Sequence, residues 1–526
     1  MGRVKILDCT LRDGGYINNW SFGFSNMKKA MDKLVSSGIE IVECGFLSDK
    51  GPFSADEARF SSVEEVTEVI PAEKHGSCFV AMVNYGSFSA DNLPDYDGKG
   101  LDGIRVAFHK KQLDGAMELC EKIKAKGYMV FVQPMVSLSY SDKEFISLIE
   151  RANSLKPYAF YMVDSHGSMK EKEVARYFYL SDNNLSEDIA LGFHSHNNLQ
   201  LSYSNAQFLV NMCKDRELII DSSIYGMGRG AGNLNTELFI GYLNQVMHRS
   251  YDVSPVLRVI DEVIEPIFSK STWGYSLPHY LSASYRCHQN YAGFLRDKQT
   301  LTFEDMNTVF SRIPEDKRDT FDKELIEQIY ISYQSEKETT AKGAELLRSI
   351  FEGRSVAIIA PGKSMAQHYE AVRKEISDAD AITVAVNHIP DSLTVDHVFV
   401  SNQRRYEQLR GKVGKNLIIT SNINAPEDPE AVVNYAELIN RTEAVEDNVT
   451  LLLIKLLIEL GSSGIMLAGV DGYAFKERNF VSSSLETYEN EAIYAARNRG
   501  LSEMISQYSK QIPIRFITPT WLKTDI

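Results

Sequence analysis

The sequence has no apolar run long enough to cross a bilayer. Across 526 residues the longest, VTLLLIKLLIEL at 449–460, contains a lysine and is shorter than a membrane-spanning helix. The opening MGRVKILD leads directly into a predicted strand, without the charged and apolar segments of a secretory signal. We therefore expect a cytoplasmic protein with no membrane span.

Cysteine pairs and basic runs are also missing. The six cysteines are widely spaced and include no CxxC pair, so we expect reduced thiols rather than a disulfide framework. No long basic run occurs and the formal net charge is −15, which argues against a nucleic-acid partner or a general anionic-membrane surface. The hydrophobic fraction of 44% is that of an ordinary globular protein. The length allows about two to four domains.

Short, β-branched apolar segments recur along the first 230 residues, and each is followed by an amphipathic stretch. Their spacing of roughly 25 to 35 residues is the length of one β–α unit. Eight such units predict a closed parallel (β/α)8 barrel over residues 1–245, with a doubly wound open sheet as the alternative. The predicted strands are 4–11, 39–46, 77–83, 103–108, 128–136, 159–165, 189–196 and 218–226.

After the barrel the pattern changes twice. Residues 246–345 have helical periodicity and predict a helical post-barrel region. A second α/β pattern occupies 355–526 and predicts a further domain built on a sheet. Its predicted strands are 355–360, 381–387, 396–401, 416–422, 464–473 and 514–520.

The turn after the first strand of this domain, APGKSM, has the composition of an anion-binding turn. The backbone amides from Gly362 to Ser364 could face a phosphate at the start of a helix. A plain strand–helix turn with a serine N-cap is the alternative. The turn is not a P-loop, because Ala357 occupies the position of the first glycine in that motif.

The motif GFHSHNN ends the seventh predicted barrel strand and indicates a metal site. His194 and His196 are two residues apart, so on a strand their imidazoles point to the same side. Asp13 ends the first strand, which a closed barrel separates from the seventh by a single strand. One carboxylate and two imidazoles suit Mn²⁺, Mg²⁺, Zn²⁺ or Fe²⁺, and the lack of thiolates argues against a structural zinc. The alternative is one hydrogen-bonded and one solvated histidine.

Further polar residues follow the first and eighth predicted strands. Asn233, in the loop GMGRGAGN, could supply a carbonyl oxygen to the same cation. This loop is not a dinucleotide fingerprint, because it follows the last barrel strand. Arg12 could stabilise a developing oxyanion. The alternative for Arg12 is a structural ion pair with Asp8 or Glu43.

Four motifs together resemble the DRE-TIM metallolyases: LDCTLRDGG, IEIVECGF, GFHSHNN and GMGRGAGNLNTE, in this order. That superfamily includes 3-hydroxy-3-methylglutaryl-CoA lyase, isopropylmalate and homocitrate synthases, and 4-hydroxy-2-oxovalerate aldolase. The sequence is most similar to the aldolases, since VDSHGSM (163–169) and NYAGFLRDK (290–298) resemble segments of theirs. The strong resemblance covers residues 1 to about 245.

The resemblance implies a class II aldolase that cleaves or forms a C–C bond of a 4-hydroxy-2-oxo acid, through a pyruvate enolate and an aldehyde. It implies a bound Mn²⁺ or Mg²⁺, enolate stabilisation by Arg12 and a site-lining Tyr291. The predicted substrate-binding residues are Glu43 and Asp164. The implied metal ligands are Asp13, His194, His196 and Asn233.

The sequence departs from the aldolases at the expected base. They carry a histidine three residues after the metal-ligand aspartate, where this chain has Tyr16. A tyrosine with an ordinary pKa near 10 is a poor base near neutrality unless its surroundings lower that pKa. Tyr16 is therefore a candidate catalytic residue, with His166 and Tyr291 as the candidate substitutes. The alternatives to an aldolase are an acyl-CoA-dependent synthase or lyase, and a non-catalytic scaffold whose C-terminal domain docks a partner.

Residues 355–520 resemble a Rossmann-like domain of bacterial sialyltransferases and related surface-glycan proteins. The resemblance rests on AIIAPGKSM, AVNHIP, DHVFVSNQRR and MLAGVDGY. It implies a nucleotide or nucleotide-sugar pocket at the carboxyl ends of the strands. The candidate pocket residues are Gly362, Ser364, Asn387, Asn402 and Asp471. The expected partners of the whole chain are a 2-oxo acid, an aldehyde, a nucleotide or nucleotide-sugar and further copies of itself.

Overall fold

A computed structural model describes residues 4–298, 301–336, 341–391, 393–414, 416–425, 429–440, 442, 444–475, 477–482, 485–486 and 491–524. The chain divides into two compact units. Unit 1 comprises Met1–Phe294 and Ile313–Asp322, and unit 2 comprises Leu295–Arg312 and Lys323–Ile526. The helices between residues 246 and 345 are therefore divided between the two units.

The strands of unit 1 form the predicted closed barrel. Eight of them follow the parallel order β1-β9-β8-β7-β6-β5-β4-β2, and pairing of β1 with β2 closes the ring. This closure confirms the (β/α)8 barrel and excludes the open sheet; the short β3 adds to β2 outside the ring. The strands are β1 (Val4–Asp8), β2 (Ile41–Leu47), β3 (Arg59–Phe60), β4 (Cys78–Asn84), β5 (Gly103–Phe108), β6 (Met129–Pro134), β7 (Ala159–Asp164), β8 (Ala190–Ser195) and β9 (Leu218–Ser222).

Helices alternate with these strands and cover the barrel. Those up to residue 297 are α1 (Thr10–Asp13), α2 (Gly15–Asn18), α3 (Phe24–Ser36), α4 (Val63–Val69), α5 (Leu113–Ala125), α6 (Asp142–Leu155), α7 (Glu171–Asn184), α8 (Ser202–Met212), α9 (Thr236–Met247), α10 (Ser254–Val259), α11 (Glu265–Phe268), α12 (Leu277–Ser284) and α13 (Asn290–Asp297). A π-helical turn, Ile260–Ile264, joins α10 to α11.

Local sequence explains where these helices begin. At α6, the Ser141 hydroxyl accepts a hydrogen bond from the Glu144 amide, and the Glu144 carboxylate accepts one from the Ser141 amide. This reciprocal capping satisfies two amides that the helix itself leaves unbonded. The helix then buries Phe145, Leu148 and Ile149 against the barrel, as its apolar spacing requires.

Alternation along each strand separates two apolar layers. On β1, Ile6 packs in the layer between strands and helices, whereas Leu7 packs inside the barrel. The interior also contains a charged residue, Arg105 of β5, which is fully buried, with its guanidinium 4.9 Å from the centre of the Tyr161 ring. A buried charge needs partners. Arg105 is paired with the carboxylates of Glu43 and Asp221, which belong to the candidate site.

Unit 2 is a further α/β domain with an entirely parallel sheet, in the order β14-β13-β12-β11-β10-β15-β16. The order reverses between β10 and β15. Six of these strands agree with the prediction from the sequence, whereas β14 was not predicted. The strands are β10 (Ser355–Ile359), β11 (Ile382–Val386), β12 (His397–Val400), β13 (Leu417–Thr420), β14 (Ala431–Val433), β15 (Gly464–Ala468) and β16 (Ile514–Phe516).

Helices pack on both faces of this sheet. Val356 and Ile358 face one apolar core, and Ala357 and Ile359 face another. The remaining helices are α14 (Phe303–Ser311), α15 (Lys323–Ser335), α16 (Ala341–Phe351), α17 (Ser364–Asp378), α18 (Gln403–Leu409), α19 (Tyr435–Leu438), α20 (Val449–Glu459) and α21 (Glu491–Tyr508). Among the described residues, none of the helices is both long and apolar enough for a membrane span.

Candidate metal centre

The barrel brings Asp13, His194 and His196 together. Asp13 ends α1, the single turn that follows β1, while His194 lies in β8 and His196 just beyond its end. One ligand atom from each residue lies within 4.8 Å of the others, and all three side chains are buried. The carboxyl ends of β1 and β8, separated by β9, therefore supply one carboxylate and two imidazoles to a single point.

The hydrogen bonding of these residues fits a divalent cation. Nδ1 of His194 lies 3.0 Å from Oδ2 of Asp221, which leaves Nε2 as the ligand atom. Nδ1 of His196 and Oδ1 of Asn233 are buried and have no hydrogen-bond partner within the described parts of the chain. Burying unbonded polar atoms is costly, and a cation would satisfy them. Burial also lowers the pKa of His196 to about 3, which keeps its imidazole neutral.

Asn233 lies at the same point. Its Nδ2 donates a hydrogen bond of 2.6 Å to Oδ2 of Asp13, so the loop after β9 contacts the loop after β1. Gly228 permits this approach, because a Cβ there would lie 2.3 Å from Nδ2 of Asn233 and 2.8 Å from Oδ2 of Asp13. The structure thus brings all four predicted ligands together.

A buried network of alternating charges connects two of the ligands. Arg12 donates from Nε to Glu43 (2.8 Å) and from Nη1 to Asp13 (2.5 Å). Arg105 pairs with both Glu43 (2.8 Å) and Asp221. Asp221 in turn contacts His194. The order of the network is Asp13, Arg12, Glu43, Arg105, Asp221 and His194.

Of the two ion pairs considered for Arg12, the structure contains the one with Glu43. The pair with Glu43 is present, whereas the Asp8 carboxylate accepts hydrogen bonds from Thr10 and Thr236 instead. Nη2 of Arg12 is buried without a hydrogen-bond partner among the described residues. The guanidinium is therefore fixed by two carboxylates and keeps one donor for a ligand.

The same charges keep the carboxylates ionised. Burial alone would raise the pKa of Asp13, but Arg12 and the two histidines lower it well below its usual range. For Asp221, burial is likewise outweighed by Arg105 and His194, which lower its pKa. Both residues remain anionic at neutral pH and can hold a cation or orient its ligand.

Tyr16, at the position of the expected base, makes aromatic contacts. Its ring centre lies 4.7 Å from that of Trp20 and 6.3 Å from that of Phe46. The guanidinium of Arg229 lies over the ring, 3.7 Å from its centre. A catalytic role of Tyr16 stays a prediction.

The two candidate substitutes differ in their surroundings. His166 is buried, its Nε2 lies 3.6 Å from the Asp319 carboxylate, and its ring centre is 6.3 Å from that of His288. The Tyr291 hydroxyl is bonded to the backbone of the 317–322 segment. Within the described residues, Tyr291 makes no hydrogen bond or ring contact with the metal ligands, and its place in the site stays a prediction.

The predicted substrate contacts are both used within the protein. Glu43 is the shared partner of the two interior arginines. The Asp164 carboxylate accepts hydrogen bonds from the amides of Ser168 (2.9 Å) and Met169 (3.0 Å), which shapes the turn after β7. Burial raises the pKa of Asp164 to about 6. Contact of either residue with substrate stays a prediction.

In unit 2 the predicted pocket residues are bonded to one another or to the backbone. Asp471 accepts a hydrogen bond from the Ser364 amide (2.8 Å) and another from its hydroxyl, while the Gly362 amide donates to Gly469 (3.0 Å). Asn387 accepts from the Ser401 amide, and Asn402 caps α18 by accepting from Arg405. The Ser364 amide, predicted to face an anion, therefore faces a carboxylate of the protein.

Sequence reasoning missed several residues of the barrel site. Arg105 and Asp221 had a visible signal, since each is a charged residue inside an otherwise apolar strand segment, GIRVAF and LIIDS. His288 and Asp319 had none, because they reach the site from segments remote in the sequence. Arg229 belonged to a motif that was interpreted only through its glycines.

Fold and site together define a (β/α)8 barrel with a possible divalent-metal site. Residues 107–263 match the HMGL-like family model, so the barrel carries an HMGL-like domain and the predicted resemblance to the DRE-TIM metallolyases is confirmed. The barrel is accordingly that of a carbon–carbon lyase.

Named relatives agree with this class. The chain is 23% identical over 273 residues to oxaloacetate decarboxylase of Mycobacterium tuberculosis, covering 52% of this chain and 79% of that protein. It is 24% identical over 271 residues to 4-hydroxy-2-oxovalerate aldolase of Pseudoalteromonas translucida, covering 51% and 78%. Among solved structures, the N-terminal domain of a candidate aldolase from Bacteroides vulgatus is 28% identical with a TM-score of 0.49, covering 57% of this chain and 98% of that domain.

Proposed function

We propose that unit 1 is a divalent-metal-dependent aldolase that cleaves or forms a C–C bond of a 4-hydroxy-2-oxo acid, through a pyruvate enolate and an aldehyde. The observation that carries the proposal is the buried cluster of Asp13, His194 and His196 with the donor-bearing Arg12 beside it. Relatives named 4-hydroxy-2-oxovalerate aldolase support the substrate class.

Asp13, His194, His196 and Asn233 would hold the cation, and their mixed oxygen and nitrogen donors suit Mn²⁺ or Mg²⁺. When bound, the cation supplies Lewis-acid polarisation of the keto oxygen of a 2-oxo acid. Asp221 fixes the tautomer and orientation of His194.

Arg12 would stabilise the enolate oxygen. Glu43 and Asp13 hold its Nε and Nη1, so Nη2 presents a donor whose direction is set before substrate arrives. Donors fixed in advance stabilise developing charge without reorganisation. This arrangement favours enolate chemistry over a purely structural role.

We assign proton transfer at the 4-hydroxyl to His166. Nε2 of His166 is buried without a hydrogen-bond partner within the described residues, so it can exchange a proton with a bound substrate. The Asp319 carboxylate lies 3.6 Å from this atom. This assignment compensates for the tyrosine at position 16.

The direct test is turnover by the metal-stripped and refilled full chain. Pyruvate release from 4-hydroxy-2-oxo acids should require Mn²⁺ or Mg²⁺ and proceed without coenzyme A. Oxaloacetate belongs in the panel, because its decarboxylation gives the same enolate and one relative carries that name. Activity seen only with acetyl-CoA plus a 2-oxo acid would replace the aldolase with the synthase alternative. A protein that binds no metal and turns over none of these substrates would favour the scaffold alternative.

For unit 2 we propose a nucleotide or nucleotide-sugar site at the carboxyl edge where the strand order reverses. Crevices at such points are the usual ligand sites of parallel α/β sheets. Calorimetric titration with nucleoside phosphates and nucleotide-sugars tests it, with Asp471→Ala as the variant. Cytoplasmic location and self-association also remain proposals, and cell fractionation and light scattering test them.

A further inference from the structure

The loop after β9 places an arginine beside the metal centre without a carboxylate partner. Within the described residues, the guanidinium of the half-buried Arg229 makes no hydrogen bond and no ion pair. Its close contact is the face of Tyr16, 3.7 Å from the ring centre. Among the described residues, the positive charge is therefore positioned by an aromatic ring and is not paired with a carboxylate.

The fold explains why Arg229 lies there. Strands β1 and β9 are neighbours, with Asp8 paired to Ser222, so the loops that follow them adjoin. Two of the contacts between these loops lie at the metal centre. Asn233 contacts the metal ligand Asp13, and Arg229 contacts Tyr16, three residues after that ligand.

The charge of Arg229 also acts on groups at the metal centre. The pKa of His288 is lowered to about 3, first by burial and next by Arg229. Arg229 also helps to lower the pKa of Asp13, after Arg12 and the two histidines. The Asp319 carboxylate lies near Nε2 of His166 and, within the described residues, forms no ion pair with Arg229.

Three other arginines of the barrel are paired with carboxylates, whereas Arg229 has no such pair among the described residues. Arg12 and Arg105 are each paired with two carboxylates. Arg59 also lies over an aromatic ring, 5.2 Å from that of Trp20, yet it is paired with Glu57. A half-buried guanidinium loses hydration, and its planar set of donors matches a carboxylate or a phosphate.

We propose that Arg229 binds an anionic group, a carboxylate or a phosphate, on the aldehyde partner of the reaction. The inference rests on the proposed aldolase function, in which the cation and Arg12 account for the polar groups of the pyruvate half. Arg229, a second cationic group beside the centre, then meets the other half of the substrate. Arg229 is thus a specificity residue that selects anionic aldehydes over neutral ones.

The test compares matched aldehydes with pyruvate on the Mn²⁺-loaded full chain. Succinic semialdehyde is paired with butanal, and glyceraldehyde 3-phosphate with glyceraldehyde, so each pair differs by one anionic group. The variants are Arg229→Gln and the control Arg59→Gln. We expect wild type and Arg59→Gln to prefer the anionic member of one pair by about 10- to 100-fold in kcat/KM. We expect Arg229→Gln to lose that preference, because its kcat/KM should fall more with the anionic aldehyde than with the matched neutral one.

The pair that shows the preference identifies the group as carboxylate or phosphate. A wild type without preference, or an Arg229→Gln variant that loses both members of a pair equally, would overturn the proposal.

A readout independent of turnover separates this proposal from the aldolase assignment. Succinate and glycerol 3-phosphate are titrated calorimetrically into the same Mn²⁺-loaded proteins. Binding that disappears only in Arg229→Gln supports the anion site even if no aldehyde is turned over, in which case the aldolase assignment alone fails. Equal affinity in wild type and Arg229→Gln, or no binding to either, overturns the anion site.

Discussion

Nδ1 of His194 lies 3.0 Å from Oδ2 of Asp221, and Asp221 is itself paired with Arg105 inside the barrel. A metal ligand is thus oriented by a residue that would not touch the metal. Asp221→Asn should weaken Mn²⁺ binding by about 10- to 100-fold, because the imidazole loses its anionic partner. Calorimetric titration of Mn²⁺ measures this. Wild-type affinity in the variant would show that the tautomer of His194 is fixed by other contacts.

Removal of a ligand should abolish both metal binding and turnover. His194→Ala leaves one imidazole, one carboxylate and the neutral amide of Asn233, too few strong ligands to retain a divalent cation at micromolar concentration. Elemental analysis of the purified protein and lyase assays provide the measurements. The exposed His75→Asn, which suits the left-handed backbone of that position, is the matched control. An unaltered turnover rate in His194→Ala would refute the site.

Arg12→Lys should lower kcat by about 100-fold while metal content stays at the wild-type level. A lysine keeps the charge, but it cannot pair with Glu43 and Asp13 and still present a fixed donor to the enolate. Steady-state kinetics with elemental analysis separate the two effects. Equal losses of metal and rate would instead assign Arg12 to the support of Asp13.

Substitutions of His166 and of Tyr16 should have different effects on kcat. His166→Gln should lower kcat by about 100-fold, because a general base contributes about that much. Tyr16→Phe should keep kcat within about threefold, because the contacts of Tyr16 with Trp20 and Arg229 involve its ring. The reverse pattern would return the base to position 16.

Stability should depend on pH through Asp8. Burial raises the pKa of this carboxyl from 3.8 to about 6 in the folded protein, so the folded state binds the proton more tightly than the unfolded state. The free energy of unfolding should therefore fall as the pH rises from about 4 to about 6, by about 3 kcal/mol through this group, and level off above.

Asp8→Asn should lack that dependence. Urea unfolding at several pH values, followed by the fluorescence of Trp20 and Trp273, measures the difference between the two proteins. Parallel stability curves for wild type and Asp8→Asn would contradict the raised pKa.

The barrel was predictable because strand periodicity and β–α spacing are local. The two-residue spacing of His194 and His196, combined with the strand order of a closed barrel, also predicted that Asp13 lies near them. The ionic partners were not predictable in the same way. Whether Arg12 pairs with Asp8 or Glu43 depends on side-chain directions inside the closed ring, and the sequence pattern left both open.

The fold of unit 2 was likewise predictable only in part. Its central strands followed from apolar runs, but the short β14 at the edge of the sheet was missed. The sequence placed Ser364 and Asp471 after different strands without indicating that they bond to each other. Such a contact requires β10 and β15 to be neighbours, and strand order is not encoded locally.

The charge network around the centre affects how tightly a cation and an anionic substrate bind. Asp13, Glu43 and Asp221 carry three negative charges and Arg12 and Arg105 two positive ones, so the network sums to −1. With neutral imidazoles, a divalent cation changes this sum to +1. The cation makes the centre more positive by two charges, so we expect an anionic 2-oxo acid, the proposed substrate, to bind more tightly after the cation than before it. Pyruvate affinity measured with and without Mn²⁺ would show that order directly.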